Sequence, residues 1–322
     1  MSAPPALPDG FAVGHWTDSE GRTGCTVVIA PTGAKGAVDV RGGGTSTRDL
    51  EAMGALANAE GPTALLLTGG SAFGLAAADG VMRWLKEHEL GRATPFGPVP
   101  LVPAAVIFDL VGHDEPPGPD QGYAACEAAV GGVPQRGAIG AGAHAAVGKV
   151  LGRERATRGG VGYAASQHRS SATVAALAVA NAVGDVIGSD GEVIAGPQGG
   201  DGRSLRSAEL IPTMDASPAS AARPGENTTL VCVCTDASLD KRGCGIIARM
   251  ASAGVARAVD PVFSPMDGDV VFCVASGSEP PPAPGLAATW ALTALGTVAA
   301  TVTAEAIRDA VAASQPAQPR EV

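Results

Sequence analysis

Short apolar runs of strand composition recur along the chain, most of them closed by glycine or a small polar residue. Gly24-Cys25-Thr26-Val27-Val28-Ile29 reads as a strand soon after Val13-Gly14-His15, and Gly36-Ala37-Val38-Asp39-Val40 as its antiparallel neighbour, ending in the flexible Arg41-Gly42-Gly43-Gly44. A short helix is expected from Asp49 to Leu56. Ala64-Leu65-Leu66-Leu67-Thr68 is a buried strand, followed by Gly69-Gly70-Ser71 and a helix to about Glu89, with Ser71 as its N-cap and Leu75, Met82 and Leu85 at helical spacing. Val102 to Leu110 and Thr173 to Ala180 are further buried strands, the first interrupted by Pro103. Thr228 to Thr235 is β-branched and apolar on both faces, too apolar for an edge, and places Cys232 and Cys234 on one side. A helix capped by Ser238 follows, with Leu239, Ile246 and Met250 on one side, and then the strand Val270-Val271-Phe272-Cys273-Val274. Leu286 to Ala304, the most membrane-like run, is made of Ala, Thr, Gly and Val with few large aliphatics, which predicts a buried helix.

The junction at Thr228 carries the chemistry. Ser189 to Glu226 is rich in Gly, Pro, Ser and Ala and reads as a long surface loop that can be severed without exposing core. A core strand then starts at a threonine. That layout suits an enzyme whose nucleophile is a threonine at a newly made chain start, where the freed α-amine, with a pKa of about 7.7–8.0, serves as base. An ordinary strand behind a loop has the same pattern. Elsewhere the residues leave two readings open. Gly69-Gly70-Ser71 between strand and helix offers backbone N–H groups to an anion or oxyanion, or simply permits close packing. Lys149 sits in an apolar, glycine-rich setting, although most lysines reach solvent. Asn181 ends its strand as a turn residue or projects an amide into a site. Asp267 and Asp269 flank Gly268 as a hairpin turn or as paired acids supporting an amine.

Composition narrows the classes. With 322 residues, 45% hydrophobic and 17% charged, the chain is globular and can bury a core, while aromatics at 3% leave core volume to Ala, Val, Leu and Ile. The net charge of −10, with no basic patch or aromatic platform, argues against nucleic acid. The six cysteines form no CxxC pair and the five histidines are dispersed, so no metal or cofactor is expected. Met1 to Gly10 is Pro-rich without an apolar run, which points to a cytoplasmic protein with no membrane association.

Several separated stretches together resemble one family. They are Gly14-His15, Leu67-Thr68-Gly69-Gly70-Ser71-Ala72, Val81-Met82-Arg83-Trp84-Leu85, Val106-Ile107-Phe108-Asp109, Gly148-Lys149, Asn181, Asn227-Thr228-Thr229 and Asp267-Gly268-Asp269-Val270-Val271-Phe272. In this order they resemble the self-cleaving DmpA-type aminopeptidases, a group that includes β-peptidyl aminopeptidases and nylon-oligomer hydrolases. The resemblance implies an α+β fold, a four-layer αββα sandwich shared with ornithine acetyltransferases. It also implies a single folding domain cut at Asn227–Thr228 into subunits 1–227 and 228–322, and a homo-oligomer, commonly a tetramer of such pairs. By position it makes Thr228 the nucleophile of both maturation and catalysis, with Lys149 and Asn181 stabilising charge and Asp267 and Asp269 orienting the amine. Gly70, Ser71 and Phe108 fall at substrate-binding positions. Phe108 stands where nylon hydrolases usually carry a tyrosine, so the oxyanion donor must come from elsewhere, from backbone N–H groups or Asn181. The implied activity is hydrolysis of short peptides or related amides with a free amino terminus. The alternatives are acyl transfer of the ornithine-acetyltransferase type, or an uncleaved binding protein.

Overall fold

A computed structural model describes residues 4–110, 112, 115–167, 172–214 and 225–315. Among these, ten strands make two five-stranded sheets. The strands are β1 (Ala12–Thr17), β2 (Gly24–Ile29), β3 (Lys35–Val40), β4 (Thr47–Arg48), β5 (Ala64–Thr68), β6 (Ala104–Val106), β7 (Gly160–Gln167), β8 (Thr173–Asn181), β9 (Thr228–Thr235) and β10 (Val270–Ala275). The first sheet runs β1-β2-β5-β6-β4 and the second β3-β10-β9-β8-β7. The main helices are α1 (Ala77–Glu87), α2 (Pro119–Glu127), α3 (Lys241–Ala258) and α4 (Leu286–Ser314).

Strands buried on both faces explain the layering, because the period of two sends alternate side chains into different cores. In β9, Leu230, Cys232 and Cys234 pack between the sheets, while Val231 and Val233 pack against helices. In β10, Val270, Phe272 and Val274 divide from Val271, Cys273 and Ala275 in the same way. Across the inter-sheet core, β5 contributes Leu65 and Leu67, and its Ala64 and Leu66 face α1 and α2 with Ala77, Val81, Leu85 and Ala125. The result is α1/α2, first sheet, second sheet, α3/α4: the expected αββα sandwich. Small residues let the outer helices approach closely. A Cβ on Gly162 of β7 would lie 2.0 Å from the Ala306 carbonyl oxygen of α4, so only glycine fits there.

Several sequence expectations are corrected. β3 is not the neighbour of β2. Both edges of β2 are taken by β1 and β5, and β3 crosses to the second sheet to pair antiparallel with β10. The helix expected from Asp49 is a single turn, Leu50–Met53. Strand β6 keeps only Ala104–Val106 of the longer run expected, following Pro103. Ser71 is no N-cap. It sits at φ 52 and starts a 3₁₀ turn, Ser71–Ala76, behind Gly70. α3 is capped by Asp240, whose side chain accepts from the Gly243 N–H at 2.6 Å, and not by Ser238. Its buried face is Cys244, Ile247, Ala248, Ala251 and Val255, one step round from the side expected, with Ile246 and Met250 half-buried.

The stretch expected as a surface loop, 189–226, is anchored where described: Val193–Ala195 pairs with Asp185–Ile187, and the buried Ser207 bonds Asp185 through both N–H (2.6 Å) and Oγ. Its residues 215–224 lie outside the described residues. α4 is long and apolar enough by composition to cross a bilayer, yet it packs on β7, β8 and α3 from Leu295 onward. Its first turns are exposed, Leu286 at 74% and Trp290 at 66%, and so depart from the buried helix expected.

Candidate active site

Strand register assembles the site. β8 and β9 run antiparallel with Asn181 opposite Thr228, at the end of one strand and the start of the other. β9 and β10 run parallel, and the ladder continues upstream through a bridge that sets Asn227 beside Asp267. Lys149 enters from a 3₁₀ turn, Lys149–Leu151, whose start is tied to the second sheet by Lys149 N–H donating to the Val183 carbonyl at 3.0 Å. Six residues singled out in the sequence (Asn227, Thr228, Lys149, Asn181, Asp267, Asp269) thereby meet in one buried cluster, none more than 4% exposed.

Thr228 Oγ donates to the carbonyl oxygen of Asn227, the residue it would be cut from, at 2.5 Å. The same oxygen accepts the Gly268 N–H at 2.8 Å. The Gly268 N–H is therefore placed to stabilise charge developing on that oxygen, and the Thr228 hydroxyl lies against the same peptide carbonyl. Gly268 is required for this approach. A Cβ there would lie 2.9 Å from both Thr228 Oγ and the Gly44 carbonyl oxygen. Lys149 Nζ does not reach that carbonyl. It donates to the Asn181 carbonyl at 2.7 Å and to the Glu226 carbonyl at 2.8 Å, and Asn181 Nδ2 also donates to Glu226 O at 3.3 Å. Lys149 and Asn181 thus hold the carbonyl one residue upstream of Asn227.

The acids are fully engaged. Asp269 accepts from Thr229 N–H at 2.6 Å and Phe263 N–H at 3.3 Å. Asp267 accepts from Val183 N–H at 3.1 Å and Ser264 Oγ at 2.5 Å. Burial, then the charge of Asp267, pushes Asp269 up to about 7. Burial also raises Asp267, opposed by its bonds to Ser264 and Val183 and by Lys149. Burial holds Lys149 well below the usual lysine range, with Arg153 adding to the effect and Asp267, Glu226 and Asp109 working against it. Asp269, poised near neutrality and bonded to the Thr229 N–H, can take up or release a proton near neutral pH at the start of β9.

Gly70, Ser71 and Phe108 lie on the first sheet, at the ends of β5 and β6. The Gly-Gly-Ser turn is not an open anion site: Gly70 N–H donates to Asp109 Oδ1 at 2.7 Å and Ser71 N–H to the Ile107 carbonyl at 3.0 Å. Asp109, which accepts from Gly70, also bears by its charge on Lys149 and Arg153. Phe108 is half-buried. Ser264, Arg153, Asp109 and the Gly268 N–H as donor were not assigned roles from sequence. A glycine between two acids is the one signal that pointed to any of them. Among the described residues no cluster of His, Cys, Asp and Glu can hold a metal ion.

The family model for peptidase family S58 matches residues 9–321. The chain belongs to peptidase family S58. An uncharacterized aminopeptidase of Mycobacterium tuberculosis is 41% identical to this S58 chain over 305 residues, covering 91% of it and 86% of the relative. A 6-aminohexanoate-oligomer endohydrolase of Paenarthrobacter ureafaciens is 31% identical over 312 residues, covering 94% and 84%. In fold, it is similar to a Burkholderia sp. beta-aminopeptidase (TM-score 0.69, 22% identity, 99% of this chain and 90% of that one). It is also similar to an L-aminopeptidase D-Ala-esterase/amidase of Ochrobactrum anthropi, described as a variant of the Ntn hydrolase fold (TM-score 0.70, 18% identity, 95% and 85%). This S58 member is an amidohydrolase of the aminopeptidase type on an N-terminal-nucleophile fold.

Proposed function

We propose that the chain cuts itself between Asn227 and Thr228 and that the exposed threonine hydrolyses short peptides or related amides, β-peptides and nylon-type oligoamides included. The observation that carries this is the Asn227 carbonyl oxygen held by Thr228 Oγ at 2.5 Å and Gly268 N–H at 2.8 Å. In maturation Oγ bonds to the Asn227 carbonyl carbon, its proton passes to the departing Thr228 nitrogen, and an ester replaces the amide. Water opens the ester, leaving an Asn227 carboxylate, a free Thr228 amine and a restored hydroxyl. In turnover that amine takes the hydroxyl proton as Oγ bonds to the substrate carbonyl carbon, and the proton goes to the leaving amine as the C–N bond breaks. Water then releases the acid. Asp269, bonded to Thr229 N–H, and Asp267 flank the new amine and keep it in place.

On this reading the chain is one folding domain that becomes subunits 1–227 and 228–322. Six unpaired, buried cysteines are in keeping with a cytoplasmic setting. The exposed apolar start of α4 favours assembly into a homo-oligomer, a tetramer of processed pairs. Intact-mass measurement and N-terminal sequencing of a freshly made precursor test the mechanism: the smaller product starts Thr-Thr-Leu-Val, without added protease. An active chain that stays full length overturns it.

A further inference from the structure

Turnover needs the Thr228 amine turned towards its own hydroxyl, and Asp267 is the acid that the Asn227–Asp267 bridge sets at that end of β9. Its carboxylate is held in turn by the loop that leads into β10. Resting on the assignment of Thr228 above, we infer that Ser264 is a positioning residue for amide hydrolysis: its hydroxyl fixes Asp267 as the acceptor for that amine, and it acts only through this acid.

Asp267 is buried, and its two oxygens are claimed from different elements. Oδ1 accepts the Val183 N–H at 3.1 Å and Oδ2 the Ser264 hydroxyl at 2.5 Å. The direction of the second bond is set locally. Ser264 Oγ already accepts the Met266 N–H at 3.2 Å, which leaves its own hydrogen for Asp267. The Asp267 N–H returns to the Ser264 carbonyl at 3.1 Å, so side chain and main chain close the same short loop. A hydroxyl that donates to a carboxylate favours the ionised form. Against the burial that raises Asp267, this bond is the largest opposing effect, ahead of Val183 N–H and Lys149. Lys149, on its 3₁₀ turn, gives weaker support because burial and Arg153 depress its own basicity, against the pull of Asp267, Glu226 and Asp109. The remaining charge facing Asp267 is Asp269, which accepts from the Phe263 N–H at 3.3 Å, so residues 263 and 264 each hold one member of the pair. With Asp267 ionised, Asp269 is pushed up to about 7. Without the hydroxyl, Asp267 keeps its proton more readily, and a neutral carboxyl cannot stabilise the ammonium that forms when the amine takes the Oγ proton.

The test uses processed enzyme and a chromogenic aminoacyl amide with a free amine, with kcat and KM read from acid to mildly alkaline pH. Ser264→Ala should lower kcat by about ten-fold or more, the effect of one hydrogen bond to a charged group, with KM little changed. The loss should deepen as the pH falls, because Asp267 is then protonated more readily. Ser264→Thr keeps the hydroxyl and should restore both the rate and the pH profile. Ser264→Asp separates positioning from turn-making: it keeps an acceptor for the Met266 N–H two residues on, yet has no proton for Asp267, and should lose at least as much as alanine. Circular dichroism checks each fold, and the threonine and aspartate variants decide the matter if the alanine variant does not fold. A wild-type rate for Ser264→Ala or Ser264→Asp, or a loss equal at every pH, overturns the inference while leaving Thr228 as nucleophile. A wild-type chain that neither cuts itself nor hydrolyses the amide removes the Thr228 assignment and this inference with it.

Discussion

Replacing Gly268 by alanine tests the oxyanion geometry while keeping the threonine hydroxyl in the chain. The added Cβ would stand 2.9 Å from Thr228 Oγ, 2.9 Å from the Gly44 carbonyl oxygen and 3.3 Å from Thr45 Cα, inside the distance that carbon and oxygen tolerate. Of these only the threonine hydroxyl can rotate away. Gly44 cannot yield easily, because its own N–H is bonded to the Asp267 carbonyl at 2.9 Å. The turn carrying residue 268 must move, taking its N–H off the Asn227 carbonyl. Loss of one such donor costs about 100–1000-fold in rate, or about 2.7–4 kcal/mol. Overpacking costs a further ~1–3 kcal/mol of stability, which a domain of this size survives. The assay is the half-time of precursor disappearance by intact mass, with circular dichroism to confirm the fold. Gly245→Ala in α3 is the control, since its Cβ would meet nothing nearer than the Ala37 Cβ at 3.7 Å. Processing of Gly268→Ala at the wild-type rate would refute the oxyanion role of the Gly268 N–H.

Three further variants probe other parts of the argument. Thr228→Ala should abolish both the cut and amide hydrolysis, whereas Thr228→Ser retains both at altered rate; an active, cut alanine variant seen by gel and chromogenic amide would exclude Thr228 as nucleophile. Lys149→Met removes the donor to Glu226 and Asn181 and should slow processing by about ten-fold or more, the worth of one charge-assisted hydrogen bond, with the fold intact by circular dichroism. Asp185 is pushed up to about 6 chiefly by burial, so the folded state holds its proton through a window, from its ordinary 3.8 to about 6, in which the unfolded chain has lost it. Stability from this group therefore falls as pH rises through that window. Asp185→Asn should flatten the decline in melting temperature there, at about 1.4 kcal/mol per pKa unit, and an unchanged pH profile in calorimetry would count against it.

What could be read from sequence follows the reach of each signal. The layers were legible because Leu230 to Cys234 of β9 and Val270 to Ala275 of β10 are apolar on both faces, which only a strand covered on both sides requires. Thr228 was legible as the point where that pattern begins. Strand partners were not, since periodicity says which faces are buried and nothing about neighbours. β3 was therefore assigned beside β2, when the turn through Pro31 and Gly33 after Ile29 carries it into the other sheet. Ser71 and Ser238 look like caps in composition, but the φ of 52 at Ser71 and the Asp240 side chain are set by tertiary contacts. Gly268 N–H escaped notice because a backbone donor leaves no mark in side-chain chemistry. The acceptor that Lys149 and Asn181 share, the Glu226 carbonyl, was not legible for the same reason, being a main-chain oxygen.

A cut at Asn227–Thr228, as proposed, would divide the second sheet between two pieces, with a consequence for assembly. Residues 228–322 supply β9, β10, α3 and α4, while the strands flanking them, β3 and β8, belong to residues 1–227. Neither piece can close its half of the second sheet. Once separated, each would present unpaired strand edges and bare aliphatic faces to water, a state that aggregates before it equilibrates. The proposed cut would therefore change the covalent map without creating two independent molecules. Dilution should not part the chains, and mixing separately made halves should not restore the enzyme unless they are synthesised together. On that reading the fold would have to be found by the uncut precursor, before the covalent link is lost.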